Sequence, residues 1–126
     1  MAVSSGHQWA TAGELHPYHL MEGIHARAVH GEQLTFAVID LAPYLRMPEH
    51  VHPQEQLGVV VRGELTLTIG GDSMLRRVGE MWVIPGEVPH SVVVGPQGCS
   101  VAEAFSPPRA DWEAAPRRQP LTPDWP

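Results

Sequence analysis

The chain contains no lysine. All eight basic residues are arginines, set against fourteen acidic ones, for a formal net charge of −6. Without lysine, no Schiff base to a substrate carbonyl or to pyridoxal phosphate can form. The acidic balance gives little electrostatic reason to bind nucleic acid or an anionic membrane, so neither is an expected partner. The single cysteine, Cys99, excludes an intramolecular disulfide framework. In the apolar run Cys99-Ser100-Val101-Ala102 it reads as a packed thiol, with a nucleophile as the alternative. Aromatic residues make up only 6% of the chain. No apolar run approaches the roughly 18 residues of a membrane helix. Met1 to His7 carry neither a basic region nor an apolar stretch suited to export, so the expected location is cytoplasmic. Helical periodicity, βαβ spacing and solenoid repeats are absent as well.

What the chain does have is turn formers and short apolar runs. Its 126 residues include 12 glycines and 13 prolines, and 43% are hydrophobic, enough for one packed domain. Leu34 to Leu41 reads as a strand bounded by Gly31 and Pro43, and Leu57 to Val61 as another. Glu64 to Ile69 alternates, with Leu65, Leu67 and Ile69 on one face, and ends at a Gly70-Gly71 pair with hairpin-turn chemistry. Ser73 to Val78 should return antiparallel. Met81 to Ile84, His90 to Val94 and Cys99 to Phe105 complete the set. The pattern predicts an all-β fold, an antiparallel sandwich or barrel. It divides the chain into an N-terminal arm (1–23), a β domain (24–112) and a proline-rich tail (113–126) that is either disordered or an arm on a neighbour.

The chemistry concentrates in His50-Val51-His52-Pro53-Gln54-Glu55-Gln56. Residues two apart on a strand share a face, so His50 and His52 can hold one ion from the same side. Parity then favours Gln56 over Glu55 as the next ligand, unless Pro53 bends the strand and breaks the phase. His90 follows the rigid turn Ile84-Pro85-Gly86-Glu87-Val88-Pro89 and completes the set. Three imidazoles and an amide oxygen leave a +2 ion uncompensated, which favours Lewis-acid chemistry over redox cycling. Mixed N/O ligation suits one divalent ion of Zn, Ni, Mn, Fe or Co. Gly58 and Val60 share the phase of Gln56 and would line the cavity beyond the ion, with a strand bulge as the other reading of the glycine. Glu103 and Phe105 share a face; Glu103 is either a general acid/base or an exposed strand residue. Arg109 is either an anion clamp or a solvated surface residue.

These residues resemble the two motifs of the cupin superfamily. The first motif reads here as Tyr44, His50, His52, Gln56 and Gly63, and the second as Gly79, Pro85, Glu87, His90 and Val94. Tyr44 and Glu87 stand where the pattern has turn glycines, Val94 where it has asparagine, and Gln56 where it usually has glutamate. The resemblance covers about residues 24–108 and implies a double-stranded β-helix, or jelly-roll barrel. Phe105-Ser106-Pro107-Pro108-Arg109-Ala110-Asp111-Trp112 is similar to the C-terminal signature of the pectin-degradation cupins that ketonise unsaturated uronates. That likeness implies glutamine as the fourth metal ligand, and active-site roles for Glu103, Phe105 and Arg109. Glu103 stands where the family has aspartate, one methylene shorter. The expected function is metal-dependent proton transfer or isomerisation, such as ketonisation of an enol or a uronate-like, possibly anionic, small molecule. The alternatives are a polyketide cyclase, a metal-dependent dioxygenase and a non-catalytic sugar-binding cupin. The cupin likeness also implies a homodimer.

Overall fold

The computed structural model describes residues 6–126, so Met1 to Ser5 of the expected arm lie outside the described residues. Eight antiparallel strands follow in order: β1 (Tyr18–Met21), β2 (Ile24–His30), β3 (Thr35–Leu41), β4 (Arg46–His50), β5 (Glu55–Ile69), β6 (Asp72–Arg77), β7 (Met81–Ile84) and β8 (His90–Ser106). Short 3-10 turns occupy Ala12–Glu14 and Ala110–Ala114.

The long strands β5 and β8 make the sandwich. The first half of β5 and the second half of β8 pair from Glu55↔Ser106 to Val60↔Val101, flanked by β7 on one side and by β3, β2 and β1 on the other. Their other halves pair from Leu65↔Val94 to Ile69↔His90, flanked by β6 and β4. Between the halves the register shifts twice, once from Val60 to Arg62 and again from Gly63 to Leu65. These bulges turn both strands from one sheet into the other. They also reset the side-chain phase. On β5 the buried positions change from Gln56 and Val60 to Leu65 and Leu67. On β8 they change from Val92 and Val94 to Val101, Glu103 and Phe105. The sequence runs expected as four separate strands are therefore two continuous ones, because pairing persists through the glycine-containing bends.

The Gly70-Gly71 hairpin forms as expected. Ile69 lies opposite Asp72, and both glycines have positive φ (54° and 86°), as a tight two-residue turn that matches strand twist requires. Tyr44 and Glu87 also have positive φ (62° and 66°), so two side-chain-bearing residues hold the left-handed conformation that favours glycine. Cys99 is a fully buried, packed thiol, and its burial pushes the thiol pKa up to about 12.

The sheet starts at Tyr18, inside the segment expected as an arm, and β1 pairs with β2. Segment 113–126 lies along the domain. Tyr18 bridges to Arg117, the Leu121 carbonyl accepts from Arg27 Nη2 at 3.2 Å, and the Asp124 amide donates to Asp40 Oδ2 at 3.0 Å. Arg27 and Asp40 form a buried ion pair at 2.8 Å between β2 and β3. Their unfilled hydrogen-bonding capacity is what the tail's backbone meets. No helix among the described residues is long and apolar enough to cross a membrane.

Candidate metal centre

The three predicted histidines meet. His50 ends β4 and pairs in register with His90, which starts β8, while His52 follows in the connecting loop. The His50 and His90 ring centroids lie 4.2 Å apart, and those of His52 and His90 4.9 Å. Together they offer nitrogen atoms within 4.8 Å of one another, a group that could hold a metal ion.

Each ring is oriented by its own backbone. Nδ1 of His50 donates to the Pro48 carbonyl at 2.8 Å, that of His52 to Gln54 at 3.1 Å, and that of His90 to Val88 at 2.9 Å. A proton on Nδ1 leaves Nε2 with its lone pair free, the tautomer that a metal requires. His90 Nε2 is buried with no hydrogen-bond partner. Burial, the largest cause for both, holds His52 and His90 below the ordinary histidine range; the Arg109 cation comes next for His52. Both are thus neutral near pH 7. An orphaned buried acceptor among pre-oriented imidazoles fits a divalent cation.

Gln56 is buried and Glu55 exposed, but the strand breaks over residues 51–54, so Gln56 faces inward by the pairing of β5 and not along one strand with His50 and His52. The Gln56 amide nitrogen donates to Glu103 Oε2, and its oxygen lies 3.0 Å from His52 Nε2. With His52 protonated at Nδ1, two lone-pair atoms face each other across that distance, an arrangement a cation between them would relieve.

These groups line a cavity of about 310 Å³. Glu103, Phe105 and Arg109 all reach its wall. Glu103 is 7% exposed, and its second donor is the Trp82 indole at 3.2 Å. Burial raises its pKa to about 6, against the opposing hydrogen bonds from Gln56 and Trp82 and the charge of Arg109. Phe105 sets its ring against His52, with centroids 6.0 Å apart. Arg109 stacks 4.8 Å from the Phe105 centroid and 4.9 Å from that of Trp112. Its guanidinium is engaged twice by Asp111, through Nε at 3.1 Å and Nη2 at 2.9 Å. The rest of the wall is apolar, with Leu20, Ile39, Met47, Leu65 and Val101 among its members.

Two expectations require correction. Gly58 and Val60 do not line the cavity. The space that Gly58 leaves is filled by the Trp82 indole, and Val60 is packed in the core. Sequence reasoning also missed Trp82 and Asp111 as members of the site. For Asp111 the signal was present, since Arg109 and Asp111 are two apart in an otherwise uncharged stretch.

The comparisons agree with this architecture. The cupin domain family matches residues 37–100. An RmlC-like cupin from Shewanella frigidimarina NCIMB 400 superposes with a TM-score of 0.78 at 21% identity, covering 84% of this chain and 96% of that one. KdgF from Halomonas sp. gives 0.69 at 22%, covering 86% and 94%. An oxalate oxidase gives 0.66 at 23%, covering 81% and 61%. No curated protein sequence matches. Two strands bent across a sandwich, with a histidine triad on the wall of its cavity, accord with the family match: this chain belongs to the cupin superfamily.

Proposed function

We propose that this cupin is a metal-dependent enzyme that moves a proton in a small enolisable molecule, with His50, His52, His90 and Gln56 as ligands of one divalent ion. The observation that carries the reading is Glu103, a buried carboxylate bonded to Gln56 on the wall of the same, mostly apolar cavity as the histidines. Once bound, the ion supplies Lewis-acid stabilisation of a developing enolate oxygen. The chain supplies the rest. Backbone carbonyls hold the three rings in place. Glu103 Oε2 is occupied by Trp82 and Gln56, which leaves Oε1 to take or return a proton. Phe105 and the aliphatic wall exclude water from the reacting carbon.

Ketonisation of an unsaturated uronate is the form suggested by the resemblance to the pectin-degradation cupins, with Arg109 clamping the carboxylate. For that, the substrate must displace Asp111 from the guanidinium. The aliphatic wall favours a second reading, cyclisation or isomerisation of a more apolar, polyketide-like enol, because a sugar acid's hydroxyls find few partners there. The test is deuterium uptake next to the carbonyl, followed by NMR in D2O with metal-loaded protein. The panel comprises unsaturated galacturonate, simple keto acids and a β-diketone. Uptake with at least one, reduced about 100-fold or more by Glu103→Gln, supports the reading. Tight metal binding without exchange in any of them refutes it. Oxygen consumption with iron would instead indicate a dioxygenase.

A further inference from the structure

Trp82 on β7 lies opposite Gly58 on β5, and Gly58 lies opposite Glu103 on β8. The three form one row across adjacent strands, so the outer two stand about 9.6 Å apart at the backbone. Gly58 is what lets them touch. A Cβ at position 58 would lie 2.5 Å from the Trp82 Nε1 and Cζ2 atoms, far inside van der Waals contact. The indole lies across this gap, and its N–H reaches Glu103 Oε2 at 3.2 Å.

The same carboxylate oxygen accepts the Gln56 amide nitrogen. An amide has two faces, and only its oxygen can serve as a metal ligand. An ionised carboxylate only accepts, so it draws the nitrogen to itself and turns the oxygen to His52 Nε2, 3.0 Å away. We infer that Gly58 and Trp82 are positioning residues: they fix the Glu103 carboxylate across the sheet, and through it the amide orientation in which Gln56 presents oxygen to the histidine triad.

The inference rests on the metal reading proposed above, and cobalt titration separates the two. Wild-type protein, Trp82→Phe and Gly58→Ala are titrated with Co2+ and followed by visible absorption, with melting of the metal-free proteins as a control. Trp82→Phe keeps an aromatic ring over Gly58 but removes the donor. It should bind Co2+ about 10-fold more weakly, with an altered ligand-field spectrum, as loss of an outer-shell partner does. Gly58→Ala displaces the ring without deleting the N–H and should change the spectrum in the same sense. Wild-type affinity and spectrum in Trp82→Phe overturn the inference.

A wild-type measurement stands beside these should a variant fail to fold. In 15N-labelled protein the Trp82 indole N–H should resist hydrogen exchange, while that of Trp9, 92% exposed, exchanges freely. Equal exchange of the two overturns the inference. Failure of wild-type protein to bind Co2+ overturns the metal reading, with the indole measurement still testing the Trp82–Glu103 bond.

Discussion

Asp40→Asn tests how the barrel wall is held. Asp40 accepts from Arg27 Nη1 at 2.8 Å, from Ser100 Oγ at 2.8 Å and from the Asp124 amide at 3.0 Å. The Arg27 side chain is 0% exposed and that of Asp40 7%. Asparagine keeps the shape, so no cavity forms, but it leaves a buried guanidinium without its anion. Removing one partner of a buried pair costs about 3–5 kcal/mol. Arg27 retains the Leu121 carbonyl at 3.2 Å, which places the loss near the lower end, about 3 kcal/mol. A domain of this size holds about 5–15 kcal/mol in total, so the variant folds with a narrow margin. Its melting temperature should fall by about 10 °C. Urea denaturation followed by circular dichroism gives the free energy. The neighbours Ile39 and Leu41 face the cavity whereas Asp40 faces the tail. Metal affinity of the folded variant should therefore be unchanged. A loss below about 1 kcal/mol, the size expected of an exposed ion pair, would refute the reasoning.

Tyr44→Gly and Glu87→Gly should each stabilise the protein by about 0.5–1 kcal/mol, since left-handed strain of about 1–2 kcal/mol is relieved against the entropy of an added glycine. A lower urea midpoint for either contradicts this. Cys99 should react with a thiol-specific disulfide reagent at pH 8 only after unfolding, because burial holds its pKa at about 12 in the native state. The folded state favours the protonated thiol. Its contribution to stability is intact below about pH 9 and is lost as pH rises toward 12, so alkaline melts should show a decline that Cys99→Ala reduces. Rapid native labelling would contradict the packed thiol.

The histidine triad was readable because its signals are local. His50 and His52 lie two apart where β4 gives way to the loop, and one later turn delivers His90. Parity picked Gln56 over Glu55, although the inward phase is set by the pairing of β5 and is not carried from the histidines through residues 51–54. The bends of β5 and β8 were read as strand ends because glycine looks alike at a bulge and at a turn. Trp82 was missed because its role depends on register with Gly58 and Glu103, on strands far apart in sequence. The tail looked loose because its anchors, the Leu121 carbonyl, the Asp124 amide and the Glu113 and Arg117 side chains on Tyr18, meet partners about 80 to 100 residues away in sequence.

Metal content of the purified protein bears most directly on the central claim. Elemental analysis after dialysis against trace divalent metals should find close to one ion per chain in the wild type and none in the double variant His50→Ala, His52→Ala. A folded double variant that retains its metal would place the ion elsewhere and contradict the assignment.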